Sequence, residues 1–116
     1  MMEEKKDFYG RFVVSKNILE GESIRYSVRE QTCIPHLNGW TLYSLLDEDY
    51  EKNPQNFVVI TAADMAAIAP IMLVIADAPY GTDLSWQYKD NMFTGFYDLV
   101  EKKTTSIEEI MNKDKV

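Results

Sequence analysis

An α+β fold is predicted, a single domain in which a mostly antiparallel sheet of about five strands has short helices packed on it. Three observations predict it. Runs with period-two alternation recur at "RFVVS" (11–15), "SIRYSVRE" (23–30), "WTLYSLL" (40–46) and "LSWQY" (84–88). One helical stretch, "AADMAAIA" (62–69), stands between the third and fourth of these runs. The chain has 116 residues, 46% hydrophobic and 27% charged, which suits one globular core. A chain of this length buries roughly two thirds of its unfolded surface, enough for a core without staples. The domain is expected over 10–100, with a flexible N-terminus (1–9) and a C-terminal tail (101–116) able to form a short helix.

The first run sets Phe12 and Val14 on one face and Arg11 and Ser15 on the other. "NILEGES" (17–23) turns at Gly21. In the second run Ile24, Tyr26 and Val28 alternate with Arg25, Ser27 and Arg29, so a hairpin of 11–15 with 24–30 is expected, one face solvated. "QTCIPHLNG" (31–39) is a loop punctuated by Pro35 and Asn38-Gly39. The aromatic-rich run 40–46 is a third strand, and the acidic 47–53 segment is a helical turn stopping before Pro54. "NFVVIT" (56–61) is nearly continuous in apolar residues, as in a central strand covered on both faces. Thr61 and Asp64 are spaced as a capping box opening the 62–69 helix. "PIMLVIA" (70–76) fits a helix led by Pro70 or a buried strand. "APYG" (78–81) is a turn, 84–88 a strand, and "TGFYDLV" (94–100) is ambiguous. Ser106 is an N-cap for a short helix through Met111, with Glu108 and Glu109 at its positive end.

Charge narrows the function. The net charge is −7, and its placement is uneven. Between Glu30 and Tyr88 stand eight acids (Glu30, Asp47, Glu48, Asp49, Glu51, Asp64, Asp77, Asp83) and one base, Lys52. That middle section carries the whole −7, while the flanks hold eleven acids and eleven bases. Nucleic acid is disfavoured as a partner, because a phosphate backbone requires clustered Lys and Arg. A basic protein would be steered toward such a field. No apolar run approaches the ~20 residues that span a bilayer, so no membrane partner is expected. The lone Cys33 excludes an internal disulfide framework, and a cytoplasmic location is the expectation.

The motifs exclude more chemistry than they supply. Asp47, Asp49, Glu51 and Asn53 alternate as in a calcium loop, but Lys52 would stand where the sharp turn needs glycine and Val58 where a bidentate carboxylate is needed. Cys33 and His36 have ligand-like spacing, yet they are the only cysteine and histidine, and a structural zinc needs four ligands. As a nucleophile and base they lack an orienting third group; a loop histidine beside a buried or half-buried thiol is the plainer expectation. No nucleophile elbow or glycine-rich phosphate loop is present. Paired acids are plentiful, but a sugar-sized cleft with two carboxyls about 5–9 Å apart is hard to build in so small a chain. Trp40, Tyr43, Trp86 and Tyr88 are expected in the core and rim of the sheet, and Met65 and Met72 in the core. No cofactor or metal, and no enzymatic activity, is expected.

Four segments carry a resemblance: "VVSKNI" (13–18), "IRYSVRE" (24–30), "GWTLYSLLDEDYEKNPQN" (39–56) and "APYGTDLSW" (78–86). Together they resemble the family called domain of unknown function 2185, related to the immunity protein 33 family of bacterial toxin-immunity systems. The central block is the specific part, with Gly39, Trp40, Ser44, Asp47, Glu48, Tyr50, Asn53, Pro54 and Asn56 fitting it, and Pro79, Gly81 and Thr82 fit a second turn motif. The resemblance spans about residues 12–88. It implies a cytoplasmic, non-enzymatic domain that binds and neutralises a protein partner such as a toxin. The acids Asp47, Glu48, Asp49 and Glu51 are then the candidate partner-binding residues, and a basic toxin is the partner they would suit. A small-ligand-binding or regulatory domain, with a pocket between the sheet and the 62–76 segment, is the alternative.

Overall fold

A computed structural model describes residues 9–45 and 54–112 of the chain. Seven strands form its sheet: β1 (Arg11–Ser15), β2 (Ile24–Arg29), β3 (Leu37–Ser44), β4 (Phe57–Ile60), β5 (Asp83–Lys89), β6 (Met92–Asp98) and β7 (Lys103–Thr105). Four short helices join them: α1 (Lys16–Leu19), α2 (Ala62–Ile68), α3 (Ile71–Val74) and α4 (Ile107–Met111). The strand order is β4-β1-β3-β2-β5-β6-β7. β1 runs parallel to β3, and every other neighbouring pair is antiparallel.

The expectation of about five mostly antiparallel strands therefore needs correction: there are seven, and the sheet is mixed. The two extra strands lie where periodicity is weak. β6 leaves β5 through a two-residue turn, Asp90 (φ 54°) and Asn91 (φ 67°), the left-handed pair of a type I′ hairpin. β7 is a three-residue polar strand, Lys-Thr-Thr, with no apolar alternation to announce it. The expected hairpin of β1 with β2 does not form, because β3 lies between them and pairs with both. Ser15 accepts the Asn17 N–H and starts α1 immediately after β1, which carries the chain past the vacant middle position. β3 fills it, being the longest strand, with Asn38, Trp40, Leu42 and Ser44 all buried on one face.

β2 shows why a face cannot be read from alternation alone. Its ladder with β3 shifts between Ile24 and Tyr26, so Arg25 is an extra residue in a bulge. Ile24 is buried, but beyond the bulge Ser27 and Arg29 stand level with Leu42 and Trp40 on the helix-covered side. Tyr26 and Val28 are turned to the opposite face, the reverse of the simple pattern. Ser27 is compatible with burial because its hydroxyl accepts the Trp86 indole N–H at 2.9 Å.

All four helices cover one face. Ile18, Met65, Met72 and Ile110 pack with Phe12, Val14, Trp40, Leu42, Leu84, Trp86 and Phe96 in a single core. The expected capping box is present: Thr61 accepts the Asp64 N–H, and Asp64 accepts the Thr61 N–H. Within the 70–76 segment Ile71–Val74 form α3, with Pro70 at its N-cap, so the helix and not the buried strand is found there. Ser106 caps α4 by accepting the Glu109 N–H, as its sequence indicates. β4 departs from expectation again: it is an edge strand, with Val59 51% exposed, not a central one.

Gly39 sits where β3 advances four residues against two of β1. Its φ is +93°, and a Cβ there would collide with the Glu30 carbonyl oxygen. Gly21 has φ +107° but nothing within 4 Å of such a Cβ. Chemical denaturation should separate strain from collision: Gly39→Ala loses more than about 2 kcal/mol, Gly21→Ala about 1 kcal/mol.

Candidate partner-binding surface

The sequence-selected acids Asp47, Glu48, Asp49 and Glu51 lie outside the described residues, between Leu45 and Pro54. The described chain on either side ends in β3 and in a 3-10 turn, Pro54–Asn56, that leads into β4. Tyr43 and Phe57 meet there edge to face, ring centres 5.5 Å apart and planes at 83°. Ser15 lies opposite Phe57 across the β1–β4 ladder and leaves room for that contact. The face away from the helices continues with Tyr26, Val28, Val13, Thr41 and Val59, all half-buried except the exposed Val59.

A second cluster gathers five of the resemblance-bearing residues, Gly39, Trp40, Pro79, Gly81 and Thr82, and its work is structural. The Arg29 guanidinium donates from Nε to Asn38 O at 2.8 Å and from Nη1 to Ala78 O at 2.6 Å, and lies over the Tyr80 ring at 4.3 Å. Gly81 N–H donates to Arg29 O, and Arg29 N–H to Thr82 O, extending the pairing of β2 toward β5. Thr82 Oγ1 donates to Pro79 O at 2.6 Å, closing the 79–82 turn. Asn38 donates to Tyr9 O and accepts the Trp40 N–H, while the Trp40 indole N–H donates to Ala76 O at 3.0 Å. Trp40 is fully buried, as expected of a fold anchor. Sequence reading placed Arg29 on a solvated face; only the bulge in β2 reveals where it points.

A groove of about 710 Å³ opens between the α1–β2 connection, the α2–α3 junction and the β5–β6 hairpin. Ile68 to Ile71 line one wall and Ile24, Trp86, Tyr88 and Phe93 the other. Phe93 packs on Trp86 at 5.1 Å and on Tyr88 at 6.1 Å between centres. Tyr88 donates its hydroxyl to Ile24 O at 2.7 Å. Burial raises the Tyr88 phenol above its ordinary value, and hydrogen bonds with Ser23 and Ile24 pull it the other way.

The Asp83 carboxyl is displaced upward from its ordinary value. Burial raises it first, then the negative charges of Asp98 and Glu30. Asp98 is buried because its Oδ1 accepts the N–H groups of Val100 and Glu101, building the turn into β7. No three metal-binding side chains gather among the described residues. Cys33 is exposed, correcting its expected burial. No helix is long and apolar enough to cross a membrane among the described residues.

A raised folded value means that the folded state holds the Asp83 proton more tightly than the unfolded chain. The associated stability is full below the unfolded value near 3.8 and is lost as pH rises through the folded value. Asp83→Asn should therefore melt higher than wild type at neutral pH, with the gain vanishing once the solution is more acidic than the unfolded value. Melting temperatures of both proteins across that range check it.

Comparison with curated proteins finds no match, and comparison with solved structures finds none either. The model of the Immunity protein Imm33 domain matches residues 12–96, which contain β2 to β5, α1 to α3 and most of β1 and β6. A match over most of the chain, on the strands and helices that form the core, places this protein in the Imm33 immunity protein family.

Proposed function

We propose that this protein is a cytoplasmic, non-enzymatic immunity protein that binds a toxin and neutralises it by covering the toxin's working surface. The observation that carries the reading is the Imm33 match over residues 12–96. The charge of the chain supports a basic toxin as partner, since the section from Glu30 to Tyr88 holds the whole net −7. In this reading Asp47, Glu48, Asp49 and Glu51 lie at or beside the contact and accelerate capture by attraction at a distance. The fold suits such a role. Among the described residues, helices shield one sheet face and leave the other, with Tyr26, Tyr43 and Phe57, for contact; tyrosine is enriched in protein interfaces.

A pull-down of the tagged protein from its native lysate, eluted by salt, would identify the partner for a toxicity-rescue assay. Rescue by the wild-type chain supports the reading, and its absence with an expressed, cognate toxin sinks it. Asp47→Asn, Glu48→Gln, Asp49→Asn and Glu51→Gln together should slow association about tenfold at low salt and flatten its salt dependence. Stopped-flow kinetics measures this, and an unchanged low-salt on-rate removes the acids from the contact.

The 710 Å³ groove favours a second reading, a small-ligand-binding or regulatory domain, because it lies between the sheet and the α2–α3 segment and is largely apolar. A ligand that raises the melting temperature with no protein partner present, and fails to do so in Phe93→Ala, supports that reading over the first.

A further inference from the structure

The geometry points to β4 as the strand to which an extended segment of the bound partner adds, continuing the sheet past Phe57–Ile60. This rests on the partner-binding reading above and specifies how the partner is held.

Among the described residues, β4 has β1 on one side and no strand on the other. One hydrogen bond sets the direction of its backbone groups. Arg11 N–H donates to His36 O at 2.8 Å, next to the start of β3, so the backbone groups of Arg11 point toward β3. Along a strand these groups alternate in direction, which turns Phe12 and Val14 toward β4 and Val13 back to β3. Phe12 and Val14 stand opposite Ile60 and Val58, and these residues exchange the ladder bonds. Phe57 and Val59 must then direct N–H and C=O outward. Neither has a hydrogen bond outside the strand ladder among the described residues. A row of outward donors and acceptors is complementary to another extended backbone.

Two further observations single out this edge. The opposite edge, β7, carries Lys103 with Lys102 beside it, the charged residues that discourage strand addition. Phe57–Ile60 has neither charge nor proline, and Val59 is 51% exposed. Charge then selects the occupant. β4 lies within the section of net −7, so a basic partner strand is attracted, whereas a second copy of this chain would bring like charge against like. The occupant is an extended, basic-flanked segment with an apolar residue beside Val59.

The probe is a synthetic peptide, Lys-Lys-Val-Thr-Val-Thr-Val-Lys-Lys, titrated into the nitrogen-15-labelled full chain. Saturable shifts and slowed hydrogen exchange at the Phe57 and Val59 amides are expected. Val59→Pro removes an outward donor without touching the ladder to β1 and should weaken binding at least about fivefold. Val59→Lys keeps that donor, adds an edge charge, and should weaken binding too; it replaces the proline variant if that one fails to fold. No saturable binding, shifts elsewhere with these amides unmoved, or wild-type affinity in the folded variants overturns the proposal. Self-association of the chain that Val59→Lys abolishes assigns the edge to a second copy and overturns it as well. Toxin rescue separates this from the broader reading. A wild-type chain that fails to rescue sinks the immunity role whatever the peptide does, whereas rescue undiminished in a folded Val59 variant overturns the edge alone.

Discussion

The Arg29 guanidinium, divided between two backbone carbonyls, is the interaction on which the centre of the sheet depends. It joins the start of β3 at Asn38 to the turn at Ala78, forty residues further along the chain, and Tyr80 covers it. A cation bonded to carbonyl oxygens keeps its hydrogen bonds when water is excluded, so the group can stand beside the core with no carboxylate partner among the described residues. Asn38 extends the join to Tyr9 and Trp40, and Trp40 extends it to Ala76 below the helices. Gly39 completes it, since only a residue without a side chain lets β3 pass the Glu30 carbonyl.

Of the eight described residues that carry the family likeness, five are found in this join. Gly39, Trp40, Pro79, Gly81 and Thr82 hold turns and strands together and point no reactive group at a cavity. The likeness therefore marks the scaffold. In the proposed role, specificity for a partner belongs to surfaces the scaffold presents, and it is free to vary where it does not disturb the join. Among the described residues the helices lie on one side, and those surfaces are the opposite face, the two sheet edges and the connections at the ends of the strands.

Much of the local structure was legible in the sequence. The Thr61 capping box, the Ser106 cap and the runs of β1, β2, β3 and β5 follow from side chains within a few residues of one another, while the turn expected at 78–81 closes one residue later, at 79–82. The burial of Trp40 and Trp86 was also readable. The candidate surface was less so. Its acids are evident in composition, yet Arg29, Asp83 and Asp98 gave no signal, because each acquires its surroundings from strands far away in the chain. The groove is similar: Trp86 and Phe93 meet only once a left-handed turn at Asp90-Asn91 folds β6 back on β5.

What the sequence by itself determined is a one-domain α+β chain with an acidic middle, its helix caps, and the absence of familiar metal and nucleophile motifs. Those depend on periodicity, turn chemistry and charge count, all of them local or additive. Only the tertiary structure decided that β3 divides β1 from β2, that Arg25 bulges and reverses the faces beyond it, and that apolar β4 ends at an edge. The reason is physical. Backbone hydrogen bonds between strands are blind to side-chain type, so strand order is settled by which combination buries the most apolar surface while pairing every interior N–H and C=O.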